Sequence, residues 1–240
     1  MRITFIDEYR SFVGEAYRAC AVAGKFEAQS DSLLDKNISN AAIFMVLYSL
    51  FEEYVRVILK EYVRKSVGIN CSINCSFKDV YTSHLDVVSA KIKKLKSLKE
   101  PTSRDDLVSV SKNLLVAAFR PEKTCLYLDD ICSNNYNIDA EVLKEMCKKV
   151  GIKEIIKKIS LVQHVQYFYN ASSSDVVGEL LVSDLLRYKQ QRNSMIHSCG
   201  FRSGFGFADV LNYHKFIKRF LLCFAIALQH VLDSSIPIHR

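Results

Sequence analysis

Apolar residues recur along this chain mostly at the three-to-four-residue interval of a helix. Phe5, Ile6, Tyr9, Phe12, Val13 and Tyr17 set that rhythm over residues 4–28. Asp31 or Ser32 can cap a second, long helix over about 33–66. In its second half Phe51, Tyr54, Val55, Ile58, Leu59 and Tyr62 share one side, and Glu52, Glu53, Arg56, Lys60, Glu61 and Arg64 the other. Glu52 and Arg56 are spaced for a helical ion pair worth a few tenths of a kcal/mol where exposed. After a turn at Gly68–Cys75, Ile92, Leu95 and Leu98 continue the period among Lys91, Lys93, Lys94, Lys96 and Lys99, until Pro101 stops it. Arg104–Phe119 reads as another helix, closed by Pro121. Residues 125–137 are irregular, and Asp139 opens a helix to Val150 that Gly151 ends. Residues 152–169 read as helix followed by extended chain, and 171–174 as a loop. A polar-rich helix opening at Ser183 and a strongly apolar one over 208–232 complete the chain. The pattern predicts an all-α fold with at most a little strand, in a single domain over 1–240 with a helical insert at about 68–120.

Composition agrees. Only 8 Gly and 3 Pro occur in 240 residues, which leaves much room for helix. With 49% hydrophobic and 25% charged residues the chain resembles an ordinary globular protein. A net charge of +7 permits a polyanionic partner without demanding one. No apolar run approaches the roughly 18 residues of a membrane span. The N-terminus lacks the apolar core of a signal peptide. The 8 scattered cysteines are therefore expected to be free thiols in a reducing cytoplasm. Cys71, Cys75 and His84 have no evident fourth partner for zinc, and neither metal nor cofactor is expected.

The chemically unusual stretch is Arg192-Asn193-Ser194-Met195-Ile196-His197, preceded by Gln190 and Gln191. Five donor-rich polar residues lie beside an apolar Met-Ile pair. Arg192 and His197 are five residues apart, roughly 140° around an ideal helix. That is not the spacing of a metal-binding His pair, and one flat helix face cannot aim both groups at one point. They can converge in a groove between helices, or where two copies of the helix meet. Taken alone, the spacing also fits two basic groups complementing the negative end of a helix dipole.

Arg192-Asn193-x-x-x-His197, on a late helix and shortly before Gly200, resembles the R-N-x-x-x-H signature of the HEPN superfamily. Two upstream stretches, Leu47-Tyr48-Ser49-Leu50-Phe51-Glu52-Glu53-Tyr54-Val55 and Asn134-Asn135-Tyr136-Asn137-Ile138, resemble its RiboL-PSP-type branch. The resemblance runs from about residue 40 to the end, with the insert matching poorly. Ile196 and Ser198 stand where the family usually has a small residue before the His and often Gly after it. Cys199 stands where one toxin subgroup has Tyr, so that subgroup's regulation does not carry over. The resemblance implies a HEPN-like helical bundle. It also implies a ribonuclease leaving a 2′,3′-cyclic phosphate end, with two protomers contributing their motifs to one cleft and Asn193 supporting the site.

The residues suit that chemistry. The chain has no Gly-rich phosphate loop, no Ser-His-Asp order and no carboxylate-rich metal site. A His that titrates near neutrality can take or give the proton of RNA's ribose and leaving oxygens. An Arg fork can neutralise charge building on the phosphate. Arg192, Asn193 and His197 are thus the catalytic candidates. Glu52 or Glu53 is a candidate supporting carboxylate, unless both simply face solvent. Lys91, Lys93, Lys94 and Arg202 are candidates for RNA contact, unless the lysines are only a solvated face. In the loop 201–207 the Phe rings can stack a base or anchor the loop on the core. The expected function is a metal-independent endoribonuclease, a toxin or phage-defence effector, acting on RNA as a homodimer with an antitoxin or defence-system partner. The alternatives are a HEPN fold that binds RNA or protein without cleaving, and an unrelated helical interaction protein.

Overall fold

A computed structural model of the chain describes residues 5–69, 75–97, 106, 108–112, 126–133, 136–197 and 205–234. Its principal elements are α1 (Ile6–Gln29), α2 (Leu33–Ile69), α3 (Cys75–Ser97), α4 (Leu128–Ile131), α5 (Ala140–Lys149), α6 (Ile155–Ser160), α7 (Gln163–Tyr169), α8 (Ser174–His197) and α9 (Phe207–Ser234). The fold is all-α, and no strand occurs among the described residues. None of the described helices is long and apolar enough to cross a membrane. The chain divides into two compact units. The first comprises Met1–Ile58, Tyr136–Leu143 and Glu154–Gln229, and the second Leu59–Asn135, Lys144–Lys153 and His230–Arg240.

The first unit is built on an aromatic core. Phe44 of α2 lies 4.5 Å from Tyr213 of α9 and 5.1 Å from Phe205, ring centre to ring centre. Tyr188 of α8 lies 4.5 Å from Tyr213, and Tyr48 stacks on the same ring at 6.1 Å. Each such pair adds roughly 0.5–1.5 kcal/mol beyond the area it buries. The helical period selects these residues. Phe44, Leu47, Tyr48, Phe51 and Val55 fall on one stripe of α2, and Val177, Leu181, Leu185 and Tyr188 on one stripe of α8; all are buried. The turn before α2 is capped by Ser32, whose Oγ accepts the N–H of Asp35 at 3.3 Å.

Two local predictions are corrected here. Helix α8 opens at Ser174, nine residues before the expected Ser183. Gly178 lies within it, with Ile156 in ordinary contact 3.7 Å from where a Cβ would stand. Residues 152–169, expected as helix followed by extended chain, hold two short helices, α6 and α7, so the extended part is helical as well. They bury Ile155, Ile156, Ile159 and Val165. Asn170, with φ 51°, closes α7, while the N–H of Ala171 bonds back to Gln166 at 3.1 Å. Asn tolerates that left-handed conformation better than most residues do.

The second unit includes α3, the last part of α5 and the 126–133 segment. Ser83 Oγ donates to the Lys149 carbonyl at 2.8 Å. Gly151, with φ 80°, ends α5, and Ile152 N–H reaches back to the Cys147 carbonyl at 2.9 Å. Only glycine adopts that angle without Cβ strain, so this helix end was legible in advance. His84 is fully buried and stacks on Tyr127. Of the expected 104–119 helix, residues 108–112 are helical and most of the rest lies outside the described residues.

Candidate functional site

Helix α8 carries Arg192 and Asn193 in its last turns, both half-buried. Asn193 Oδ1 is a shared acceptor. Arg192 Nη1 donates to it at 3.3 Å, and Asn137 Nδ2 donates to it at 2.9 Å. Asn137 arrives from the segment just before α5, and side chains of α2 fix that segment. Ile138 is fully buried. Its N–H donates to Glu52 Oε1 at 2.8 Å, and its carbonyl accepts from the Tyr48 hydroxyl at 3.0 Å. One residue on, Asp139 forms an ion pair with Lys189 of α8, while its Oδ1 accepts the Val142 N–H at 2.9 Å. Two helices and a short segment thus converge through side-chain bonds beside Arg192.

The electrostatics follow from that crowding. Burial pushes the Tyr48 hydroxyl well above its ordinary range, and the nearby Glu52 charge adds to the shift while Arg192 opposes it. Tyr48 therefore stays protonated and can act as the donor the geometry requires. For Asp139, burial alone would raise the pKa. The hydrogen bonds from Lys189 and the Val142 N–H and the Lys189 charge outweigh burial, so the carboxyl is held below its ordinary 3.8. Tyr213, beneath Tyr48, is buried, and its hydroxyl has no hydrogen-bond partner among the described residues. A shallow surface hollow of about 630 Å³ lies along α2 between Met45 and Arg56, past Glu52 and Glu53.

The sequence candidates separate accordingly. Glu52 joins Arg192 and Asn193 in this neighbourhood through the 137–139 segment. Glu53, one residue on, is exposed and lies 3.7 Å from Arg56. The ion pair on this face is thus Glu53–Arg56 at i, i+3, while the Glu52 expected there accepts the Ile138 N–H. His197 is the final residue of α8, and its side chain lies outside the described residues, as does Arg202. Of the Met-Ile pair, Met195 is buried but Ile196 is 46% exposed. Phe205 is buried against Phe44, so it anchors its loop on the core and is unavailable for stacking.

Lys91, Lys93 and Lys94 belong to the second unit. Lys91 is engaged there, 3.1 Å from Asp130 and 4.6 Å above the Tyr127 ring. Lys93 and Lys94 are exposed. No cluster of potential metal ligands occurs among the described residues. Tyr48 and Asn137 lie in the two stretches that resemble the family and Asp139 was read as a helix opener, but none of them, nor Lys189, was expected at the site.

The RiboL-PSP-HEPN family model matches residues 23–230, a span holding α2, the 137–139 segment and the whole motif. The chain belongs to this family, and through it to the HEPN superfamily of all-α domains. Membership carries a coarse functional assignment, a role in RNA cleavage or RNA binding. No curated protein and no solved structure gives a significant match.

Proposed function

We propose that the protein is a metal-independent endoribonuclease of the HEPN type, acting in the cytoplasm as a toxin or phage-defence effector. In this reading His197 accepts the proton of a ribose 2′-OH. The 2′-oxygen then bonds to phosphorus, the P–O5′ bond breaks, and the departing 5′-oxygen takes up a proton from water, while His197 returns its own proton to solvent. The products are a 2′,3′-cyclic phosphate end and a 5′-hydroxyl. Arg192 remains a cation throughout and neutralises the charge that builds on the phosphoryl oxygens. A homodimer supplies two motifs to one cleft, which reconciles the roughly 140° between Arg192 and His197 along one helix. An antitoxin or another defence protein would restrain the activity.

The observation that carries this reading is the seating of Arg192. A guanidinium acting only as a helix-dipole cap needs no orienting partner, yet Arg192 donates to an asparagine oxygen that a second asparagine also engages. The test is cleavage of labelled RNA in EDTA, with melting of each variant as a control. His197→Ala should lower the rate by ~10²–10⁴. Arg192→Lys should not restore full activity, because an ammonium cannot make the fork contact. Full activity of His197→Ala, or activity lost on chelation, overturns the mechanism. RNA binding without any cleavage would instead favour a non-catalytic HEPN module.

A further inference from the structure

We infer that Asn137 is a positioning residue for the Arg192 guanidinium, acting through the side-chain amide of Asn193. This inference rests on the ribonuclease reading above and adds a residue to it. A side-chain amide has an oxygen end and a nitrogen end of nearly equal shape. With Oδ1 toward Arg192, Asn193 accepts from the guanidinium. Turned over, it presents an NH2 group to a cation that has no acceptor to offer. The donor-only guanidinium sets the first orientation and Asn137 reinforces it, its own Nδ2 donating to the same oxygen at 2.9 Å. Asn193 Oδ1 is then held between two donors, the second being Arg192 Nη1 at 3.3 Å. Both of its lone pairs are occupied, so this oxygen serves Arg192 and not the RNA.

Asn137 is itself held in place. The next residue, Ile138, is bonded through its N–H to Glu52 and through its carbonyl to Tyr48. Asp139 is tied to Lys189, which stands one helical turn before Asn193 on α8. The segment is therefore fastened to the motif helix at two places, and Asn137 cannot withdraw without breaking the others. Glu52 accordingly acts by holding this segment, at a remove from the reacting atoms.

The test compares Asn137→Ala in two backgrounds, wild type and Asn193→Asp. A carboxylate has two equivalent oxygens and needs no neighbour to decide which one faces Arg192. In the wild-type background Asn137→Ala should lower kcat roughly 10- to 100-fold through misplacement of the fork. Affinity for an uncleavable 2′-deoxy-substituted RNA should change by less than about two-fold, since the charge remains. In the Asn193→Asp background the same change should cost less than about three-fold, because the two residues act as one unit. Nitrogen NMR of the Arg192 guanidinium supplies a readout independent of activity. Its Nη signals should be separate in the wild type and merge in Asn137→Ala. Equal losses in both backgrounds, or unchanged Nη signals, overturn the inference. If the wild type cleaves no RNA, the ribonuclease reading falls by itself and the NMR comparison still decides the role of Asn137.

Discussion

Replacing Asp139 with Asn tests how strongly the segment before α5 is tied to the motif helix. The substitution keeps an acceptor for the Val142 N–H, so the start of α5 retains its cap, and it removes only the charge facing Lys189. The Lys189 and Asp139 side chains are 24% and 17% exposed. That places the pair between surface ion pairs, worth about 0–1 kcal/mol, and fully buried ones, whose disruption costs about 3–5 kcal/mol. An intermediate loss of about 2 kcal/mol at pH 7 follows, roughly 4–8 °C in Tm for a chain of this size. The dependence on pH is more telling. The folded carboxyl titrates below its ordinary 3.8, so the folded state binds fewer protons than the unfolded state in that range. The stabilisation is complete above the unfolded value and is lost as pH falls through the folded one. Melting curves from pH 7 to pH 2.5 should therefore show wild type and Asp139→Asn converging as the acid limb is reached. Parallel curves, with a constant gap or none, would refute the reasoning.

Two further outcomes are expected. Lys93→Ala should weaken RNA binding and reduce the slope of log affinity against log salt by about 1. Lys91→Ala should change that slope less, because Lys91 is already engaged by Asp130 and Tyr127; an equal effect from both would contradict this division. Cys20, Cys132, Cys147 and Cys223 are buried, and burial holds their thiols well above the ordinary range, Cys20 at about 11 and Cys132 and Cys223 at about 12. They should resist a thiol reagent at pH 8 until denaturant is added, and rapid labelling of any of the four in the native protein, read by mass spectrometry, would contradict their placement.

The long helices were legible because their cores repeat at helical spacing. Phe44, Tyr48, Phe51 and Val55 announce α2 without help from the rest of the chain, and Gly151 marks the end of α5. Helix α8 was read short because Gly178 and Ser183 interrupt its first half, and the exposed Val176 and Leu180 blur the buried stripe of Val177 and Leu181. Residues 155–169 contain enough apolar positions for either helix or buried strand, and only packing decides between them. Arg192, Asn193 and His197 stood out as a motif. Their supporting contacts did not, because Asn137 meets Asn193 across 56 positions and Glu52 meets Ile138 across 86. No local period encodes such pairs. Glu52 and Glu53 are identical neighbours about 100° apart on their helix, and tertiary structure alone tells which one faces the 137–139 segment.

The wide sequence separation of these contacts has a consequence during synthesis. Glu52 is made about 140 residues before Asn193, which at ~5–20 residues per second corresponds to roughly 7–30 s. Through that interval the ribosome holds a chain that has α2 but no Arg192, and no intermediate length joins the two. An enzyme that cuts RNA is dangerous to the message from which it is translated. Here the groups proposed to do the cutting cannot assemble until about four-fifths of the sequence has been read, so a chain terminated upstream of Arg192 lacks them.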